Sequence, residues 1–322
     1  MTKEEKMGAT WIGLLVAALI VGVVAGCAGL SRSGSTAKQA PRRDMLVSTA
    51  WLWPRLGDRH VVVAHVGKNR TAYDAGHVPG ARFVAWTDVA VTRDGVPNQL
   101  PPLADLVALV RRLGIAQDDR VVLYDEEGGL WAARAYVALD YVGLGDRVAL
   151  LDGHLKKWVQ EQRALSREEP QVEASSYVPR PRPEVLVPLV AVRDMVWART
   201  QAAGAPVAIV DARPSAQFLG ADPGEGIKRP GHIPGAVNVF WQRHLLSTDS
   251  PVLKSESELR ALYAEAGVRP DDVVVAYCRT GVQASHTYFV LKYLGYDVRL
   301  YDGSYSEWSA APDTPVASAA TP

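Results

Sequence analysis

Short runs of apolar, largely β-branched residues recur along the chain and alternate with longer amphipathic stretches. The apolar runs are Val61–Val63, Val121–Tyr124, Val207–Val210 and Val273–Tyr277. Their length and continuous apolarity predict strands that are buried on both faces of a parallel sheet. Helical spacing of apolar residues occurs over Leu103–Leu113, 132–141, Glu256–Ala266 and 284–293. Strands that alternate with helices predict an α/β fold, an open and mostly parallel sheet flanked by helices.

The second half of the chain repeats the first at an offset of ~150 residues. Three kinds of segment recur in the same order: a GH(V/I)PGA turn, an apolar run introduced by two aspartates, and an Asp-Gly pair followed by tryptophan. These are Gly76–Ala81 and Gly231–Ala236, Asp118–Asp125 and Asp271–Cys278, and Leu151–Gly153 with Trp158 and Tyr301–Gly303 with Trp308. Conserved order at a domain-sized offset indicates a duplicated domain.

The repeats set the expected domain limits, with one domain at residues 44–166 and a second at 189–311. The segment 167–188 between them contains five prolines and several charges, which predicts a linker. The end of the chain, 312–322, is rich in proline, alanine and threonine and predicts a disordered tail.

The N-terminus has the pattern of an export or membrane segment. Two lysines precede an uncharged apolar run over 8–26 that ends directly before Cys27. Val24–Cys27 resembles the bacterial lipobox, whose cysteine is lipidated and becomes the new N-terminus. We therefore expect signal residues 1–27, a flexible tether at 28–43, and a lipoprotein anchored on the periplasmic or another extracytoplasmic face of a membrane. An uncleaved single-span anchor and a buried helix are the alternatives.

Composition and charge further limit the classes of protein to which the chain can belong. The chain has 322 residues with 35 basic and 35 acidic side chains, so a basic nucleic-acid-binding protein is disfavoured. Hydrophobic residues make up 48%, enough for each half to bury a core. The two cysteines, Cys27 and Cys278, exclude a disulfide framework and a cysteine-rich metal site.

Cys278 occupies the position expected of a reactive thiol. It directly follows the predicted strand Val273–Tyr277, and a helix is predicted to begin near Ala284. Ligands collect at the carboxyl ends of parallel strands, and a tight loop before a helix directs backbone N–H groups and the helix dipole toward one point. These groups and the adjacent Arg279 favour a thiolate, and Gly281 allows the loop to turn with positive φ. The alternative is a small hydrophobic core cysteine.

The duplication, both GH(V/I)PGA segments, both Asp-Gly segments and the loop Cys278-Arg279-Thr280-Gly281-Val282 together resemble a tandem-domain rhodanese of the thiosulfate sulfurtransferase family. The resemblance covers about residues 44–311. It implies two rhodanese-like domains, of which only the second carries the nucleophile, Cys278. Asp125 takes the place of the cysteine in the first domain. That domain is therefore expected to lack catalysis and to shape the cleft.

The resemblance also implies the reaction. The Cys278 thiolate would attack the outer sulfur of thiosulfate and expel sulfite, and an acceptor such as cyanide or a thiol would remove the sulfur from the resulting persulfide. No metal or organic cofactor is implied. The expected partners are a small anionic sulfur donor and a small nucleophilic acceptor, with no nucleic acid. A monomer is the default expectation, because the duplication supplies an intramolecular partner.

A dianionic donor requires cationic side chains. Arg279 is one candidate, and Arg213 is the other, since rhodaneses carry a substrate-contacting arginine at the matching strand end. A salt bridge from Arg213 to Asp211 is the alternative. The expected active-site loop is completed by Thr280, Gly281, Val282 and Gln283.

Arg279 also bears on the choice of donor. In the resembling family a basic residue after the cysteine accompanies thiosulfate, whereas mercaptopyruvate sulfurtransferases tend to have Cys-Gly-Ser-Gly-Val. Arg279 therefore favours thiosulfate, and 3-mercaptopyruvate transfer or a persulfide carrier without rapid turnover are the alternatives. A phosphatase of the related fold would need arginine six positions after the cysteine, where this chain has Ala284.

Histidines and tryptophans near these motifs have structural interpretations. His77 and His232 lie in matched turns, and a metal site would need several convergent ligands. His286 could assist proton transfer, but a histidine on the helix surface is the simpler interpretation. Trp158 and Trp308, at the same position in each repeat, are predicted to anchor the core.

Overall fold

The computed structural model describes residues 40–201 and 206–318. Cys27, the apolar run 8–26 and most of the predicted tether lie outside the described residues. Within the two described ranges, no helix combines the length and the apolar character needed to cross a membrane.

The first domain contains a five-stranded parallel sheet and a separate two-stranded hairpin. Its strands are β1 Leu46–Val47, β2 Val61–Gly67, β3 Arg82–Ala85, β4 Val91–Arg93, β5 Val96–Gln99, β6 Arg120–Tyr124 and β7 Val148–Leu151. The order in the sheet is β1-β7-β6-β2-β3, and β4 with β5 forms a separate antiparallel hairpin. The helices are α1 Thr49–Leu52, α2 Thr71–Ala75, α3 Leu103–Arg112, α4 Leu130–Tyr141 and α5 His154–Gln160.

The second domain repeats this plan with a four-stranded parallel sheet. Its strands are β8 Val207–Asp211, β9 Val237–Asn238, β10 Val273–Tyr277 and β11 Asp297–Leu300. The order is β11-β10-β8-β9. The helices are α6 Leu189–Gln201, α7 Ser215–Phe218, α8 Glu256–Glu265, α9 Val282–Tyr293 and α10 Ser304–Ala310. The α/β class and the duplication predicted from the sequence are therefore confirmed.

Each sheet divides its apolar residues between two cores, because successive residues of a strand face opposite sides. Val62 of β2 and Val274 of β10 belong to one core that the two domains share. The opposite faces pack into separate cores, one with Trp158 and one with Trp308. Both tryptophans are fully buried, so their predicted role as core anchors is confirmed.

Helices α4 and α9, which follow the central strands of the two sheets, pack against each other in the shared core. The ring of Tyr136 on α4 meets Phe289 on α9 edge to face, with centroids 5.0 Å apart. The carboxylate of Asp140 at the end of α4 accepts a hydrogen bond of 2.7 Å from Tyr288 and pairs with Lys292, both on α9. The two loops that precede these helices are thereby brought to the same end of the interface.

The repeated Asp-Gly segments join the domains a second time. Asp302 of the second domain accepts a 2.7 Å hydrogen bond from the backbone N–H of Leu100 and binds Nη1 of Arg134 at 2.6 Å, both in the first domain. In the opposite direction, Asp152 accepts a 3.0 Å hydrogen bond from the N–H of Leu253. The conserved aspartate of each repeat therefore contacts the other domain.

The predicted linker 167–188 follows an extended path along the first domain. The buried Tyr177 donates from its hydroxyl to the Val142 carbonyl at 2.8 Å, and the N–H of Ser175 donates to the Arg111 carbonyl at 3.0 Å. This segment is fixed to the domain that precedes it, although it contains little regular structure.

The expectation of a disordered tail is wrong for its described part. The indole of Trp308 donates to the Pro315 carbonyl at 2.7 Å. Ala317 and His232 exchange backbone hydrogen bonds of 2.7 and 3.0 Å. Composition suggested disorder, but a buried tryptophan N–H requires an acceptor, and this segment provides one.

Replacing Arg134 with alanine should lower the free energy of unfolding by about 3 kcal/mol, because it leaves the carboxylate of Asp302 and nearby carbonyls buried without their donor. Arg134 is fully buried and also donates to the carbonyls of Val89 and Asn98. Urea unfolding of the purified protein measures the change. Arg147→Ala, which removes an exposed partner of Asp118, is the control. Equal midpoints for the two variants would contradict the importance of this contact.

Candidate active site

The loop between β10 and α9 is a tight turn that begins with Cys278 and ends with Gly281. Gly281 has φ of +85°, as the sequence predicted for a turn back toward the strand end. A Cβ at this position would lie 2.9 Å from Oδ1 of Asp302. Glycine is therefore required both by the backbone conformation and by the close approach of the interdomain aspartate.

Most backbone N–H groups of this loop are left without acceptors in the described part of the chain. Among the described residues, nothing accepts a hydrogen bond from the N–H groups of residues 279–283, which we call the amide nest. The N–H of Cys278 donates to Oγ of Ser304 at 3.2 Å. The amide nest and the N-terminal end of the twelve-residue helix α9 together provide a positive environment for an anionic sulfur and the group bound to it.

The corresponding loop of the first domain is filled by its own side chain. Asp125, which directly follows β6, accepts four backbone hydrogen bonds of 2.8 to 3.0 Å. The donors are the N–H groups of Glu127, Gly129, Trp131 and Ala132. A carboxylate thus occupies the anion-binding position of the first copy, which agrees with the predicted loss of catalysis there. In the second copy the shorter side chain of Cys278 leaves the N–H groups without an internal acceptor.

Cys278 forms part of the wall of a cavity of about 550 Å³ between the two domains. Only 1% of the residue is exposed, so a reagent must be small enough to enter the cavity. The wall contains Lys68, Trp86, Asn98, Leu130 and Trp131 from the first domain and Gln217, Asp222, Gly224, Glu225, Cys278, Arg279, Thr280, Val282 and Gln283 from the second.

The predicted loop residues occupy this cavity in different ways. Arg279 lines it, and its Nη1 donates to the carbonyl and to Oε2 of Glu225 at 3.0 and 3.1 Å. Oγ1 of Thr280 accepts a 3.0 Å hydrogen bond from the side-chain amide of Asn98. Val282 and Gln283 contribute directly to the wall. The first domain therefore holds the active-site loop through a hydrogen bond.

Arg213 is placed differently from the expected substrate contact. It is fully buried and lies outside the cavity lining, with Nη2 2.6 Å from Oδ2 of Asp211 and its guanidinium 4.0 Å above the ring of Tyr305. Burial opposes its charge, but Asp211 raises the pKa of Arg213 above its ordinary value. The arrangement corresponds to the alternative salt bridge, because the two residues flank one turn and no solvent competes for the pair.

The first-domain contributors to the cavity were missed by the sequence reasoning. Asn98 has φ of +62°, and the indole N–H of Trp86 donates to its side-chain oxygen at 3.3 Å. Lys68 follows β2, and its ammonium lies 5.5 Å from the ring centroid of Trp131. These residues lie far from Cys278 along the chain, and no motif marks them, so only the packing of the two domains reveals their position.

His286 is buried in α9, contrary to its expected place on the helix surface. Its Nδ1 lies 3.2 Å from Nδ1 of His244, whose Nε2 lies 2.8 Å from the hydroxyl of Tyr263. Burial lowers the pKa of His244 to about 3. Burial and the neighbouring His244 lower the pKa of His286 well below its ordinary value. The expectation failed because α9 is enclosed on all sides by the shared core.

His77 and His232 belong to the turns in which they occur. The Nδ1 atoms of the two rings lie 2.8 Å from the carbonyls of Tyr73 and Phe218, respectively. Each ring also stacks on the side chain of that same residue at 3.8 Å. The matched geometry supports the structural interpretation of both histidines.

Two stretches of the chain, residues 48–161 and 194–311, match the sequence profile of the rhodanese-like domain. This chain belongs to the rhodanese family. The repeated motifs and both sheets, apart from the two-residue strand β1, fall within the matched stretches, and the candidate nucleophile of this rhodanese lies in the second.

The sequence relatives of this chain support its assignment to the rhodanese family. This rhodanese is 37% identical over 286 residues to the sulfur carrier protein TtuD of Thermus thermophilus and 34% identical over 284 residues to the thiosulfate sulfurtransferase of Corynebacterium glutamicum. Each alignment covers 85% of this chain, and they cover 96% and 90% of those relatives.

A solved structure supports the same conclusion. The crystal structure of SseA from Escherichia coli, described as a 3-mercaptopyruvate sulfotransferase, superposes with a TM-score of 0.70 at 28% identity. The superposition covers 81% of this chain and 99% of that one. Together with the sequence relatives, it supports sulfurtransferase chemistry for this rhodanese.

The buried histidine pair should make the fold sensitive to acid. A histidine whose pKa is lower in the folded state binds fewer protons there than in the unfolded state. Its stabilising contribution is therefore present above pH 6.5 and is lost as the pH falls toward the folded pKa. For His244 the loss between pH 7 and pH 5 is about 2 kcal/mol.

Urea unfolding at the two pH values measures this loss. His244→Gln should show a smaller decrease between pH 7 and pH 5 than the unmodified protein. His60→Gln, at a largely exposed histidine, should retain the full decrease. An unchanged pH dependence in His244→Gln would show that other groups cause it.

Proposed function

We propose that this protein is a thiosulfate sulfurtransferase that carries sulfur as a persulfide of Cys278. The observation that carries the proposal is the position of Cys278 at the amide nest, in the wall of a cavity of about 550 Å³. Main-chain N–H groups stabilise the thiolate and the negative charge of a bound donor, as required for a sulfur nucleophile. Relatives named thiosulfate sulfurtransferase support the choice of donor.

The proposed reaction has two displacement steps. In the first, the thiolate of Cys278 forms a bond to the outer sulfur of thiosulfate, the sulfur–sulfur bond of the donor breaks, and sulfite leaves with the electron pair. In the second, cyanide or a thiolate attacks the outer sulfur of the persulfide. The bond between the two sulfurs of the persulfide breaks, and the Cys278 thiolate is regenerated. No net oxidation or reduction by an outside reagent is needed, and covalent catalysis divides one difficult transfer into two.

Two other functions fit the same site. The similarity to SseA supports 3-mercaptopyruvate as an alternative donor, and the relative TtuD, named a sulfur carrier, supports slow release to a protein partner. Turnover of thiosulfate and 3-mercaptopyruvate, each with cyanide and with a thiol as acceptor, distinguishes these functions. A carrier would load sulfur from a donor but would release it slowly to cyanide.

We also propose that the protein is exported and anchored through a lipidated Cys27. The support is the apolar run over 8–26 that ends before this cysteine. In a bacterial host, metabolic labelling with a tagged fatty acid should mark the unmodified protein and leave Cys27→Ser unlabelled. A labelled Cys27→Ser variant would contradict the proposal.

Cys278→Ser should reduce the formation of thiocyanate from thiosulfate and cyanide by at least about a thousandfold, because the oxygen cannot form a persulfide. Intact mass spectrometry should show one added sulfur atom in the unmodified protein after thiosulfate, removable by cyanide, and none in the variant. Cys27→Ser, which removes the other cysteine of the chain, is the matched control. Equal turnover in the Cys278→Ser variant and the unmodified protein would remove Cys278 from the mechanism.

Glu225→Gln should lower the KM for thiosulfate about three- to tenfold, because the side chain of Glu225 competes with the donor for Arg279. Asp222→Asn removes a second carboxylate from the cavity wall, one that accepts from the N–H of Gly224 and has no cationic partner among the described residues. Steady-state kinetics of both variants test the proposal. Asp222→Asn is the matched control. If the KM values of the two variants are equal, the effect comes from the change in total charge and not from the release of Arg279.

A further inference from the structure

Among the described residues, only some of the charged side chains in the cavity wall around Cys278 form ion pairs. The cavity wall contains two cations, Lys68 and Arg279, and two carboxylates, Asp222 and Glu225. Arg279 is paired with Glu225 at 3.1 Å. Lys68 is exposed and has no carboxylate within ion-pair distance in the described parts of the chain. Lys68 is therefore the cation of this wall that is available to a ligand without breaking an ion pair.

Trp131 determines where the charge of Lys68 lies. The ammonium is 5.5 Å from the centroid of the Trp131 ring, and both residues line the cavity. This distance permits a cation–π interaction, which favours positions of the flexible lysine above the cavity wall. The charge is thereby held on the first-domain side, opposite the loop that carries Cys278.

The noncatalytic loop of the first domain fixes this platform. The backbone N–H of Trp131 donates to Oδ2 of Asp125 at 2.8 Å. Asp125 is fully buried and holds the start of α4 through its other hydrogen bonds. The loop that lost the nucleophile therefore positions the aromatic ring beneath Lys68.

We propose that Lys68 binds the anionic end of the sulfur donor and is a specificity-determining residue contributed by the noncatalytic domain. The proposal rests on the proposed sulfurtransferase function. The donor class is a small oxyanion with a transferable sulfur, whose charged group lies toward Lys68 and Trp131 while the sulfur reaches Cys278. The amide nest stabilises charge at the sulfur end, and Lys68 stabilises it at the opposite end.

The charge balance explains why Lys68 matters. Without it the wall would hold one cation, Arg279, and two carboxylates, Asp222 and Glu225. That wall would repel an anion at the distances found within a small cavity. With Lys68 the charges balance, and the amide nest then makes the cavity favourable for an anionic donor.

Steady-state kinetics with thiosulfate and cyanide test the proposal on the full chain. In Lys68→Gln the KM for thiosulfate should rise about tenfold at low ionic strength, and the dependence of kcat/KM on salt should weaken. Lys68→Arg should restore most of the affinity. Lys156→Gln, which removes an equal charge from a lysine of the first domain that lies outside the cavity, should behave like the unmodified protein.

A second measurement isolates donor binding from the later step. The protein is loaded with sulfur, freed of donor and mixed with cyanide, and the rate of sulfur release is followed. This rate should change by less than about twofold in Lys68→Gln, because cyanide reacts at the sulfur end of the cavity and has no second anionic group to contact Lys68. An equal decrease in both steps would show a general disturbance of the site and would overturn the proposal.

A binding readout that needs no turnover separates this proposal from the proposed function. Sulfate, an oxyanion without a transferable sulfur, should protect Cys278 against alkylation by uncharged iodoacetamide, and Lys68→Gln should require about tenfold more sulfate for equal protection. If the unmodified protein turns over thiosulfate but the variant shows the same KM and protection, Lys68 has no role and the function stands. If thiosulfate is not turned over but protection still depends on Lys68, the proposed function fails and the anion-binding role stands. Absence of protection in the unmodified protein overturns the proposal.

Discussion

The site depends on a set of main-chain N–H groups at the start of α9 for which the described part of the chain supplies no acceptor. They occur because a strand end, a four-residue turn and the first turn of α9 leave several N–H donors outside the regular hydrogen bonding of the strand and the helix. Such donors are fixed by the backbone and need no reorganisation when charge develops on sulfur. Gly281 makes the turn possible, and Asp302 packs against it from the interdomain contact. The geometry of the nucleophile is therefore tied to the contact between the domains.

The two copies of the domain use one arrangement for different purposes. In the first, the carboxylate of Asp125 satisfies four N–H groups and makes the loop a closed structural unit. In the second, the N–H groups of the loop after Cys278 have no acceptor among the described residues. The two copies also differ one turn into the helices that follow these loops, at a matching position. There, Arg134 of α4 binds the other domain, whereas His286 of α9 is buried in the core. The first copy, whose loop has Asp125 in place of the cysteine, thus hydrogen-bonds to the other domain at a position where the second copy contacts a residue of its own domain.

The cavity is a property of both domains together. The catalytic loop supplies Cys278 and Arg279, while Asn98 supports the loop and two tryptophans form the opposite wall. Glu225 neutralises Arg279 within the second domain, and Lys68 of the first domain adds a further cation to the same wall. The first domain therefore forms part of the wall around the thiol.

The sequence by itself determined the α/β class, the duplication, the position of Cys278 at a strand end and the positive φ of Gly281. These features depend on local patterns, since apolar runs, repeated turns and a glycine beside a helix start act over a few residues. Tertiary structure decided that Arg213 pairs with Asp211, that His286 is buried, and that residues up to 318 are fixed against the second domain. It alone placed Lys68 and Trp131 in the wall of the cavity that contains Cys278. Which charges are paired and which side chains share a cavity depend on distances between elements far apart in the chain, and local patterns carry no information about those distances.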